Sequence, residues 1–174
     1  GDLPNFSAFR GGVALGPYLQ RHFDIPVYIN NDGDLFAYGE ALAGALPEIN
    51  AAIKAAGGTK QYKNLLGVTF GTGFGGGVVI DGKLLSGDNG CGGDVWCFRH
   101  KDAPQCICEE AVGVRGIKRM YAEYSGLSSD DLTPKDICEI ADGTREGDQE
   151  AAKATFAKLG EVAANTMAQA VTIA

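Results

Sequence analysis

Apolar and polar positions alternate along this chain in three rhythms, and each predicts a different kind of element. Residues 64–70, "NLLGVTF", and 78–80, "VVI", are short runs of pleat-forming side chains, so they read as two strands. Asp81-Gly82 then gives a two-residue hairpin signal before "KLL". The result is a β-meander whose first turn is loaded with glycine. A second rhythm is helical. Leu35, Tyr38, Leu42 and Leu46 predict a helix that Asn31 or Asp32 caps and Pro47 ends. Val114, Ile117, Tyr121 and Tyr124 predict another over 109–125, Thr133-Pro134 opens one that closes near Gly143, and Phe156, Leu159, Ala163 and Met167 stripe a long helix over 148–174. The third rhythm is a continuous apolar run. "FDIPVYIN", 23–30, reads as a short buried strand with Pro26 at its start. Asn31 and Asp32 then fall where a strand meets the N-terminus of a helix, the place at which open α/β sheets hold ligands. The alanine-rich stretch 48–63, broken by Gly57-Gly58, reads as a helix running into a turn between two lobes, 1–60 and 61–174.

Composition narrows what these elements can do. The chain of 174 residues is 45% hydrophobic, enough to bury a core. Fifteen Lys and Arg against 22 Asp and Glu leave a net charge of −7, so the counterion release that drives nucleic-acid binding has no source in this region. No apolar run reaches the ~18 residues of a membrane span, and no basic-then-apolar leader opens the chain, which predicts a cytoplasmic location. The cysteine count is five, an odd number, with Cys91, Cys97, Cys106 and Cys108 close together. That argues for thiols or a metal site over a disulfide framework.

The glycine run "FGTGFGGG", Phe70 to Gly77, offers backbone amides without side chains and the Thr72 hydroxyl. Such a turn suits phosphate oxygens, and a tightly bent sheet corner favours the same residues. A dinucleotide fingerprint requires a helix after the glycines, whereas here a strand follows. Strand-turn-strand phosphate loops belong to actin-like kinases and ATPases.

Four blocks then resemble the ROK family of sugar kinases and sugar-responsive repressors. The family's "NDANAAA.GE" stands here as "NDGDLFAYGE", Asn31 to Glu40, and its "vtlGTGiGgGiv.dGkl..G" as "VTFGTGFGGGVVIDGKLLSG", Val68 to Gly87. Its "nGaaGEiGH" stands as "NGCGGDVWC", Asn89 to Cys97, and its "GC.E" as "ICEE", Ile107 to Glu110. The resemblance implies an α/β, actin-like ATPase (ribonuclease H-like) fold. It makes Asp32 the general base that accepts a sugar hydroxyl proton, with Asn31, Asp94 and Glu110 as sugar ligands. Gly71, Thr72 and Gly73 would hold ATP phosphates, with Mg²⁺ neutralising their charge. Asn-Asp ahead of a helix is also ordinary capping chemistry, and that role is compatible with catalysis. The implied partners are a hexose and ATP, and the family commonly forms homodimers.

Two departures bear on this expectation. The family often holds zinc with one His and three Cys; Cys97 stands at the histidine position, and "CICEE" is a contracted form of the rest. Cys97, Cys106 and Cys108, with His100 as fourth ligand, could make a Cys₃His site, while free buried thiols are the plainer reading of C-x-C. Asp94 is one methylene shorter than the family's glutamate. Neither a D-x-G-G-T turn before residue 31 nor an adenine-side loop after the long helix is present. The chain is therefore expected to be a fragment, matching the middle portion of the family: the end of the sugar-binding lobe and the first part of the ATP lobe. Alone it is expected to be inactive. A sugar-sensing repressor region and a binder without chemistry are the alternative readings.

Overall fold

The computed structural model describes residues 7–172 and contains two compact units, Gly1–Asn31 and Asp32–Ala174. Division by compactness thus falls at Asn31 rather than near residue 60. In the first unit a 3-10 turn at Ser7–Phe9 precedes helix α1, Leu15–Phe23, which the apolar pattern did not reveal. Asp24 ends α1 in the left-handed conformation, at φ 52°. The following residues to Asn31 form no strand, contrary to the expected buried strand over 23–30. A strand needs a partner for its backbone groups. Among the described residues of this unit there is no other strand, and Pro26 removes one donor. Most of the segment is exposed, although Ile29 packs against α1 at Gly16.

The second unit is built around the predicted meander. Strands β1, Leu65–Phe70, β2, Phe74–Ile80, and β3, Lys83–Leu84, lie in the order β1-β2-β3 and are antiparallel throughout. Leu65 pairs with Val79 and Phe70 with Phe74 across the first hairpin. Asp81 and Gly82 both have positive φ, 48° and 73°, as a type I′ turn requires.

Helix α2, Asp32–Ala43, lies on one face of the sheet and α3, Ala45–Ala55, follows it. The sequence suggested one helix ending at Pro47. Instead the break falls at Gly44, where Glu40 Oε2 accepts the Ala45 N–H at 2.7 Å, and Pro47 sits inside the first turn of α3. Proline is tolerated there because that turn has no use for its missing N–H. The predicted helix over 109–125 is likewise two helices, α4, Glu109–Val112, and α5, Val114–Ser125, divided at Gly113. Helix α6, Pro134–Ala141, has the expected Thr133 cap, closed reciprocally by Asp136. Helix α7, Gln149–Val171, supplies the long stripe, and residues 173 and 174 of that expectation lie outside the described residues.

Two apolar clusters hold these parts together. Phe74 and Val95 join Cys108, Ala111 and Val112 of the α4 segment and Val162 and Ala163 of α7, so the second sheet face is covered. Ile117, Tyr121, Ile137, Ile140 and Ala152 tie α5, α6 and α7 into a helical layer. Period-two alternation sends Leu66, Val68 and Phe74 toward the first cluster and Gly67 and Gly77 toward Ala37 of α2. Among the described residues no helix is long and apolar enough to cross a membrane.

Candidate functional site

The turn between β1 and β2 is short. Gly71 N–H donates to Gly73 O at 3.0 Å, and Val114 N–H donates to Gly71 O at 3.3 Å. Gly71 and Thr72 are exposed, and a methyl group added to Gly71 would meet nothing within 4 Å. Behind the turn stands the N-terminus of the twelve-residue helix α5. Gly113 permits that approach: a Cβ there would lie 2.9 Å from Thr72 O and 3.5 Å from Gly73 Cα. The break between α4 and α5 is therefore a packing requirement. Its consequence is a helix N-terminus, with its positive end, set beside three small residues, a combination that favours anions.

A carboxylate also reaches this turn, and it belongs to Glu109. Its Oε2 accepts the Phe74 N–H at 3.0 Å and would collide with any side chain on Gly73. Glu110, the residue singled out in the sequence, faces elsewhere: Oε1 lies 3.0 Å from Arg115 Nη2, and its carbonyl accepts from Arg119.

Asp32 is exposed and opens α2, with its Oδ1 accepting the Gly33 N–H at 3.0 Å. What holds this end of α2 on the sheet is the absence of side chains below it. A Cβ on Gly77 would lie 2.8 Å from both Asp34 Cα and Ala37 Cβ. The loop carrying Asp94 closes on the same residue, since a Cβ on Gly93 would lie 2.5 Å from Gly77 Cα. Gly77 is thus the point at which α2, β2 and the Asp94 loop meet. Asn31, the last residue of the other unit, is exposed, and its N–H donates to Asn30 Oδ1 at 2.9 Å.

Asp34 was not anticipated as a site residue. It is 4% exposed, and burial first, then the charge of Asp94, pushes its carboxyl above the ordinary range. Asp94 is half-buried and hydrogen-bonds Cys91, whose thiol is pushed up chiefly by that bond. The one available signal for Asp34 was the spacing of Gly75 and Gly77, which face one side of β2 and so mark a backbone lying close above it.

The thiols do not converge. Cys97 Sγ donates to Asp94 O at 3.0 Å, while Cys108 is fully buried beside Thr166 Oγ1 at 3.0 Å. Burial pushes the Cys108 thiol up, which disfavours the thiolate a metal would need. His100 Nδ1 already accepts the N–H groups of Asp102 and Ala103 at 3.1 and 3.2 Å. Among the described residues no group of three or more His, Cys, Asp or Glu could hold a metal ion, so Cys97, Cys106, Cys108 and His100 do not fit a zinc tetrahedron.

A glycine turn backed by a helix N-terminus, in the same unit as the exposed Asp32 that opens α2, is the arrangement in which comparison with known proteins becomes informative. The ROK family model matches residues 4–174. The chain belongs to the ROK family. A crystal structure of glucokinase from Parabacteroides distasonis is 62% identical and superposes over 99% of this chain with a TM-score of 0.91. The ROK resemblance is therefore not confined to a middle portion, and the expectation of a fragment pieced from two lobes is withdrawn in favour of a ROK fold running through the chain. This chain covers 48% of that glucokinase chain. Among curated ROK relatives, a glucokinase from Halalkalibacterium halodurans is 36% identical over 72% of this chain and 40% of its own length. A xylose repressor from Bacillus spizizenii is 29% identical over 66% of this chain and 26% of its own length. The chain thus spans about half, or less, of the ROK proteins it matches.

Proposed function

We propose that this chain carries phosphate-binding and general-base elements of an ATP-dependent hexose kinase, with glucose as the first substrate to test. The observation that carries the reading is the Gly71–Gly73 turn set against the N-terminus of α5 at Gly113. Exposed backbone at the turn and the positive end of the helix suit phosphate oxygens, so Gly71, Thr72 and Gly73 would hold the phosphates of ATP. Mg²⁺, bound with the nucleotide, would supply neutralisation of the charge that spreads over those oxygens. Glu109 keeps the Phe74 end of the turn fixed and leaves the Gly71-Thr72 side open.

Asp32 is the general base in this reading. Its exposed carboxylate opens a helix whose first turn is clamped on Gly77, so its position is set by backbone packing rather than by flexible contacts. It accepts the proton of the sugar hydroxyl as that oxygen attacks the γ-phosphoryl group, and the O–P bond to the nucleotide breaks. Asp94 and Glu110 are the proposed sugar ligands; the Arg115 pair is what Glu110 would exchange for a sugar hydroxyl. Coupled assay of glucose phosphorylation tests the assignment with Asp32→Asn, which should lower kcat by about 10²–10⁴-fold with little change in KM. Undiminished kcat in that variant would defeat it.

Similarity to a xylose repressor supports a second reading, in which the region senses a sugar without chemistry. Glucose binding in the absence of any measurable phosphate transfer would favour it.

A further inference from the structure

A cleft of about 340 Å³ lies between the segment 98–108 and helix α7, and the mechanism above does not use it. Arg99, His100 and Lys101 line one side, and Asn165, Thr166 and Gln169 of α7 line the other. The segment is a loop closed by its own backbone. Cys108 N–H donates to Phe98 O at 2.7 Å, His100 N–H to Cys106 O at 3.1 Å and Cys106 N–H to Ala103 O at 2.8 Å. Lys158 ties the loop to α7, with its Nζ 2.7 Å from Asp102 Oδ2 and 3.1 Å from Glu161 Oε2. Both of those carboxylates are therefore engaged. Among the described residues neither Arg99 nor Lys101 forms an ion pair. His100 Nδ1 accepts the N–H groups of Asp102 and Ala103, so the neutral ring carries its proton on Nε2, as a donor. A guanidinium, an imidazole N–H and an ammonium thus stand in succession on one braced loop, in a chain whose net charge is −7. Across the cleft the Thr166 hydroxyl is engaged by Val162 O and Cys108 Sγ. Asn165 Nδ2 donates to Glu161 O at 2.8 Å, which leaves its Oδ1 as an acceptor.

We propose that this cleft binds a small phosphate monoester, with the phosphate on Arg99, His100 and Lys101 and the hydroxyls of its body on the Asn165 and Gln169 amides. The planar guanidinium fork matches phosphate oxygens in pairs, and the ammonium adds a compact point charge. A single carboxylate would satisfy Arg99 alone, whereas a dianionic phosphate answers both cations with one group. Size favours an ester over the free ion. Bare phosphate leaves most of the 340 Å³ empty, and the volume falls at the small end of ligand pockets, where a phosphorylated polyol or pentose belongs. None of these residues is assigned above to ATP or glucose, so the cleft stands or falls independently of the kinase reading.

The test titrates the full chain with ribose 5-phosphate, which phosphorylation of glucose does not form, and with inorganic phosphate and ribose for comparison. A fixed pH of about 7.5 keeps the phosphates mainly dianionic. Imidazole proton–nitrogen NMR supplies the readout, because the chain has 2 histidines and the other, His22, lies in the first unit stacked on Tyr18. Ribose 5-phosphate should shift the His100 ring signals saturably and leave those of His22 in place. Inorganic phosphate should bind at least about threefold more weakly, and ribose should produce no shift. Arg99→Gln and Lys101→Gln should each weaken ribose 5-phosphate by about tenfold, as loss of a charge-assisted hydrogen bond does. Lys153→Gln removes an equal charge elsewhere on α7 and should change the affinity by less than about twofold. No saturable His100 shift up to about 10 mM ligand, or equal weakening in Arg99→Gln and Lys153→Gln, overturns the site. Inorganic phosphate binding as tightly as the ester overturns the assignment of an organic ligand. Shifts confined to the Gly71 and Thr72 amides would put the phosphate at the turn, and the cleft proposal falls.

Discussion

Two sets of glycines sit in one hairpin and serve opposite ends. In the turn, Gly71 is exposed, and a methyl group there would meet nothing. On the strand, a methyl group on Gly77 would strike Asp34 and Ala37 of α2 at 2.8 Å. The first set leaves open space at the turn; the second removes space so that a helix and a loop can close on the sheet. A uniform reading of "GTGFGGG" as phosphate cradle therefore assigns too much to chemistry. Gly77 bears on the proposed site indirectly, by fixing where the first turn of α2 and the loop carrying Asp94 stand.

The contrast can be broken by substitution. Gly77→Ala should cost about 1–3 kcal/mol of stability, because the intruding methyl meets backbone that cannot rotate away. Chemical denaturation measures this directly, and a variant as stable as wild type would mean that α2 does not sit on β2 as described. Asp34→Asn probes the same seam more gently. A carboxyl whose folded-state pKa is raised contributes stability that is present at acid pH and lost as pH rises through its folded pKa. Removing the ionisable group should therefore raise Tm at alkaline pH and leave it nearly unchanged below the usual carboxylate range. A Tm shift of equal size at both pH values would point to packing alone.

The parts legible in the sequence were those fixed by neighbours along the chain. The Asp81-Gly82 turn needs two positive φ values, and the dipeptide announces them. Thr133-Pro134 with Asp136 announces the start of α6 in the same local way. The misread parts depend on distant partners. "FDIPVYIN" has strand composition but no strand beside it in its unit among the described residues. Gly113 looked like an interior helix position, and only the presence of Thr72 and Gly73 explains why the helix breaks there. The positions of Asp32 at the start of α2 and of the glycine turn between β1 and β2 were readable, because local spacing carries them. Burial of Asp34 and the contact of Glu109 with the turn were not, since both follow from how α2 and α4 pack. The cysteines show the same limit, because close spacing in "CICEE" did not bring the sulfurs together.

The central claim is that ligand space and packing space are divided between the two glycine sets, and Gly71→Ala tests it most directly. Gly71 is outside the left-handed region and its surroundings are open, so alanine should change stability by less than about 0.5 kcal/mol. ATP titration followed by calorimetry should nevertheless show nucleotide affinity weakened by about tenfold or more, since in the proposed function the methyl group fills the space the phosphates would take. Unchanged ATP affinity accompanied by a lowered Tm would contradict the account, because the turn would then be a structural corner like the strand below it.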